Sequence, residues 1–209
     1  MNHMFRDLLE VAVAYALIEA ALWTPRPQQF WWSVAAMVWV LASTIVGRKR
    51  FRTLGLGSRG FRDTLWMVPG ALAGAGIMLL AAWLEGTLHP LFGSRPALVH
   101  ALLYLPWALA QQFLLQSFFF LRLERAFDSG RRGVLAAALL YSLAHIPNES
   151  MVLGTLLFGL ISCDVFRHAR NVYPLALAHF ILGLAFAVSV PASVHHNMRV
   201  GLGYLRYPN

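Results

Sequence analysis

Three glutamines, Gln111, Gln112 and Gln116, stand within six residues of one another in a stretch that is otherwise apolar. His145 and Asn148 follow in the next such stretch and just past its end, and His179 stands inside a later one. An amide can both donate and accept a hydrogen bond, and an imidazole with an ordinary pKa of about 6.5 can take up or give back a proton near neutral pH. Together they could hold and polarise a carbonyl or a water, provided the chain brings them to one place.

The elements that must do this are apolar helices. The 209 residues are 58% hydrophobic and 12% charged, against about 45–50% and about 25% in a soluble domain; mean hydropathy is +0.59. Such an excess of apolar residues finds its simplest solvent in a bilayer. The sequence predicts an all-α, polytopic membrane helix bundle of about seven spanning helices, at 7–24, 30–46, 64–84, 97–121, 133–147, 151–166 and 172–190. The fifth and sixth are short and separated by Pro147, Asn148 and Glu149, so a helical hairpin dipping from one side also fits.

Charge orients the bundle. With the N-terminus in the cytoplasm and the C-terminus outside, the inner side carries Arg6, then Arg48, Lys49, Arg50, Arg52, Arg59 and Arg62, then Arg122, Arg125, Arg131 and Arg132, then Arg167 and Arg170. The outer side carries Arg26, Arg95, Arg199 and Arg206. Cytoplasmic loops are expected to hold the excess of Lys and Arg. The net charge of +8 is therefore a matter of topology, and no nucleic-acid partner is expected. The first apolar stretch contains Glu10 and Glu19 and no small-residue cleavage pattern follows it, so it reads as a retained helix. Cys163 is the single cysteine, which excludes an intramolecular disulfide. Residues 51–63 alternate Arg with Phe and Leu and contain three glycines; they read as an interfacial amphipathic piece or a solvated loop. The tail 191–209, with adjacent His195 and His196, reads as exposed. The whole chain, 1–209, reads as one membrane domain, placed in a bacterial or archaeal plasma (inner) membrane, with lipid as its first partner.

Within this topology the polar residues share a depth. Gln111 is 11 residues from Arg122, His145 is 13 from Arg132 and His179 is 9 from Arg170. At 1.5 Å per residue these lie about 17, 20 and 14 Å from the inner end of their helices. Polar residues at membrane depth are functional candidates by default. Singly, each could equally serve as an interhelical hydrogen bond worth about 0.6 kcal/mol; three helices presenting polar groups at one level look like a buried site.

The run Gln111-Gln112-Phe-Leu-Leu-Gln116, the run Tyr141-Ser-Leu-Ala-His145 continuing through Pro147-Asn148, and the run Pro174-Leu-Ala-Leu-Ala-His179-Phe-Ile-Leu-Gly183 resemble, in that order, the three motifs of the CPBP family of intramembrane proteases. That family includes the type II CAAX prenyl proteases and the bacteriocin-processing or immunity (Abi) proteins. Its motifs are EExxxR, FxxxH and HxxxN, and the resemblance covers about residues 95–190. It implies intramembrane peptidase chemistry: a Glu draws a proton from water, the water attacks the scissile carbonyl, and histidines position it or stabilise the oxyanion. Here the Glu pair is Gln111 and Gln112, the Arg is Gln116, the Phe is Tyr141 and the last Asn is Gly183; only His145, Asn148 and His179 persist as polar positions.

An amide cannot take the proton that a carboxylate takes, and losing acid–base catalysis costs about 10²–10⁴-fold. Two carboxylates and an Arg have become three amides, a neutral set that avoids burying charge. The leading expectation is a divergent, non-proteolytic member, a pseudoenzyme that binds a membrane peptide or a prenylated or lipidic ligand. An active peptidase is the alternative, its base relocated to a histidine or to Glu19, which lies 13 residues from Arg6 and so about 20 Å deep. A lipid- or polyisoprenoid-modifying enzyme is a third, its neutral pocket lined by Trp107, Phe118, Phe119 and Tyr141. Glu10 lies too near the inner surface, and Asp164 is expected to cap its helix or pair with Arg167 or His168. Two histidines without a sure carboxylate make a poor zinc site, and His100 reads as interfacial; neither metal nor cofactor is expected.

Overall fold

The computed structural model describes residues 3–47, 53–89 and 95–206, without the side chains of 95–98 and of 100. Arg48, Lys49, Arg50, Arg52 and the His100 side chain fall outside this description. Every described element is helical. Helix α1 spans His3–Trp23, α2 Gln28–Val46, α3 Phe61–Thr64 and α4 Met67–Glu85. Helix α5, Arg95–Gln112, runs into a π-helical segment, Phe113–Phe120, and then into α6, Leu121–Ala126. Helices α7 (Gly130–Leu143), α8 (Glu149–Ala169), α9 (Tyr173–Ser189), α10 (Ala192–His195) and α11 (Gly201–Arg206) complete the chain. Each of the seven apolar stretches is thus a helix.

The chain is an integral membrane protein. Residues 28–46, 61–85 and 149–169 are long and apolar enough to cross a membrane unaided, and α9 with the short helices after it forms a fourth candidate bent by 120°. The others fall short for identifiable reasons. Helix α1 carries Arg6, Asp7, Glu10 and Glu19, and α7 has only 14 residues.

Helices pack where side chains are small. Ala71, Ala75 and Ala82 turn inward on α4, which lies along α9. A Cβ on Gly74 would meet Leu182, and one on Gly159 would sit 3.2 Å from Ala138, where α8 crosses α7. Without a hydrophobic driving force between lipid-solvated helices, this close approach supplies the van der Waals contact that holds them. Exposed Trp31, Ile77, Trp83 and Leu102 cover the outside, as the surrounding acyl chains require.

The arginine-rich end is closed by ionic and backbone contacts. Arg122, fully buried, gives a 2.6 Å bond to Glu10 and lies over the Phe118 ring, 3.7 Å from its centre. Arg125 grips the buried Asp7 with two bonds of 2.9 and 2.7 Å. Arg170 reaches Glu124 at 2.6 Å. Asp164 pairs with Arg167 at 2.7 Å, one of the two pairings expected for it. The loop 53–60 is tied down onto the helices. Ser117, Asn171 and Tyr173 hold its carbonyls, and Leu54 is buried.

The opposite end corrects an expectation. The tail does not extend into solvent: His195 is 5% exposed, and Gly201 donates its N–H to the Ile146 carbonyl at 2.8 Å. Helix α11 packs on α1, and a Cβ on Gly201 would lie 2.5 Å from the Leu22 carbonyl oxygen.

Candidate functional site

The π-helical segment begins directly after Gln112 and contains Gln116. Widened turns of this kind are rare, and when they occur they are frequent at functional sites. Gln112 and Gln116, both fully buried and four residues apart on one helical face, are in contact, with Gln116 Nε2 donating to Gln112 Oε1 at 3.2 Å. Gln116 Nε2 also donates to the Ser162 hydroxyl of α8 at 3.0 Å. On the other side Gln112 Nε2 lies 3.4 Å from His179 Nδ1, and His179 Nε2 lies 3.5 Å from the Tyr141 hydroxyl. The result is a chain of polar groups, Ser162–Gln116–Gln112–His179–Tyr141, that passes through α8, α5 with its π segment, α9 and α7. None of its members is a carboxylate, a lysine or an arginine.

His145 joins from the end of α7. Its Nδ1 is 2.7 Å from the Tyr141 carbonyl, and its ring stands edge-on to the Tyr141 ring at 5.1 Å. Bonding Nδ1 to the backbone fixes the ring and leaves Nε2 as the nitrogen for any partner. Phe158 and Tyr104 enclose His179, with ring centres at 5.3 and 5.9 Å. One buried acceptor is left over: Gln116 Oε1 has no hydrogen-bond partner among the described residues.

The remaining expected residues lie elsewhere. Gln111 is half-buried, and no polar partner for it is found among the described residues. Asn148 is fully buried and engaged in structure. Its Oδ1 caps α8 by accepting from Met151 N–H at 3.3 Å, and its Nδ2 donates to the carbonyls of His195 and Arg199 at 2.8 and 3.0 Å. Glu19 accepts from the Trp23 indole at 3.0 Å and has Tyr15 beside it, both on its own helix; its Oε1 is buried without a partner. The expected aromatic lining disperses. Phe118 lies under Arg122, Phe119 meets Tyr15, Trp107 is 59% exposed, and only Tyr141 faces a histidine.

Two members were not anticipated. Ser162 sits in an apolar run where a lone serine is unremarkable, and nothing in its spacing points to Gln116. Tyr104 lies against Gly183, whose absent side chain makes room for it; a Cβ there would stand 2.7 Å from the Tyr104 Cζ.

The family model described as Type II CAAX prenyl endopeptidase Rce1-like matches residues 93–185. Over that segment the chain is similar to the CPBP family, and the match supports the resemblance read from the three motifs. No curated protein and no solved structure matches the chain. The matched segment holds all five groups of the polar chain together with His145, so the residues that meet in space are those the family match spans. The helices α1 to α4 precede it and wall it in from outside the match.

Proposed function

We propose that this chain is a non-cleaving CPBP-type membrane protein that binds a prenylated peptide or similar lipidic ligand between α5, α7 and α9. The observation that carries this reading is the neutrality of the polar chain. Hydrolysis needs a group that accepts a proton from water as the carbonyl is attacked, and the amides at the motif's carboxylate positions accept none. The same amides remain good ligands for a peptide group, and the open Gln116 Oε1 asks for a donor such as a peptide N–H or a water. The test is to restore the carboxylate. Wild type in proteoliposomes should bind a prenylated peptide without cutting it, whereas Gln111→Glu/Gln112→Glu/Gln116→Arg should raise cleavage by at least about 10²-fold. A folded triple variant that gains nothing would count against this reading.

A second reading is favoured by one observation, the unpartnered Oε1 of Glu19. If that carboxylate serves as a relocated base, wild type cuts the peptide and Glu19→Gln abolishes the activity. Cleavage by wild type that survives Glu19→Gln would remove this route.

A further inference from the structure

The loop 53–60 presents a separate site at the arginine-rich end of the bundle. Five of its carbonyls are turned toward the helices. Leu54 O accepts from Ser117 Oγ at 2.6 Å, Gly55 O from Val172 N–H at 3.0 Å and Leu56 O from the Tyr173 hydroxyl at 3.0 Å. Gly57 O and Arg59 O both accept from Nδ2 of the fully buried Asn171, at 2.8 and 3.0 Å. In a planar trans peptide the N–H of the next residue points opposite to the carbonyl. The amides of Leu56, Gly57, Ser58 and Gly60 are therefore directed away from the bundle, and none of them finds an acceptor among the described residues.

These amides border a cup of about 690 Å³ lined by Leu56, Gly57, Ser58, Gly60, Phe61, Arg62, Asp63 and Tyr173. Gly60 is left-handed, with φ of 72°, and has no room for a Cβ against the Ala169 carbonyl. Successive outward amides around such a residue form a concavity suited to an anion. Arg62 supplies a full positive charge at the cup and Arg59 another in the same loop; both are exposed and make no ion pair among the described residues. Asp63 is the one opposing charge. Beside the cup, Phe61, Leu65 and Trp66 are 40%, 42% and 56% exposed, an apolar rim of the kind that sits at a membrane interface.

We propose that this cup binds a phosphate group, with the amides and Arg62 on the oxygens and the rim favouring the headgroup of an anionic phospholipid over free phosphate. The site is independent of the polar chain and of the function proposed for it. To test it, the purified full-length chain in a neutral detergent is titrated with short-chain phosphatidylglycerol, short-chain phosphatidylcholine and inorganic phosphate. Phosphatidylglycerol should bind more tightly than phosphatidylcholine. Arg62→Ala should weaken it about tenfold, the scale of one charge-assisted hydrogen bond. Asp63→Asn should tighten it, and Arg131→Ala, an exposed arginine in the first turn of α7, should leave it unchanged. Phosphate binding that shares the Arg62 dependence while the lipid shows none would assign the cup to a soluble anion. Equal affinity for the two lipids with no phosphate binding, or equal losses at Arg62 and Arg131, would overturn the proposal.

Discussion

At the scale of single residues, the site is built by complementary gains and losses of volume. Gly183 has no side chain, and the Tyr104 ring occupies the space beside it while standing edge-on to His179. The two positions are therefore one unit. Gly183→Asn, which restores the motif's usual residue, should force Tyr104 from its place and cost about 1–3 kcal/mol, the usual penalty of overpacking. Tyr104→Ala in the same chain should recover much of that loss. Unfolding in mixed micelles measures both, and additive effects in the double variant would show that the two residues do not share the space. Gln116 illustrates the opposite balance: its amide nitrogen has two partners and its oxygen none, which is why it stands out as the open position of an otherwise satisfied chain.

At the scale of elements, charge fastens α1 to the segment that the family model matches. Arg122 is fully buried and its guanidinium depends on Glu10, while Arg6 reaches the same carboxylate at 3.7 Å from an exposed position. Removing one partner of a buried pair leaves an uncompensated charge and costs about 3–5 kcal/mol, whereas an exposed pair is worth about 0–1 kcal/mol. Glu10→Ala should therefore destabilise the fold far more than Arg6→Ala, again by unfolding in mixed micelles. Similar losses in the two variants would mean that Arg122 finds another partner. In the sequence Glu10 reads as too near the surface for the site, and in the structure it pairs with Arg122 and Arg6 and takes no part in the polar chain. Its tertiary role, holding the buried arginine that follows the π segment, depends on a contact between residues 112 positions apart.

At the scale of the whole molecule, orientation is the next quantity to measure. The native Cys163 is fully buried, so it gives little background to a membrane-impermeant thiol reagent. Ser193→Cys, at the tail, should be labelled from outside sealed membranes, and Ser58→Cys, in the anchored loop, only after they are opened. The reverse pattern would invert the bundle, and labelling from one side alone would change the parity of the spans. The helices themselves were legible from the chain because hydrophobicity is local: a run of apolar residues must be helical in lipid to satisfy its own backbone. Height along the helices was legible in part, since rise per residue is constant: it put Gln111, His145 and His179 at nearly one level, and in the structure His179 meets Gln112, the residue after Gln111. Azimuth was not. Which face of each helix turns inward is set by its neighbours, so Asn148 became the anchor of a folded tail and Glu19 was drawn to Trp23. Trp107 turned outward, and Ser162 met Gln116 across the bundle. The π-helical widening at Phe113–Phe120 also left no mark in the sequence, whereas the Gln112–Gln116 contact has the i,i+4 spacing of any helical face.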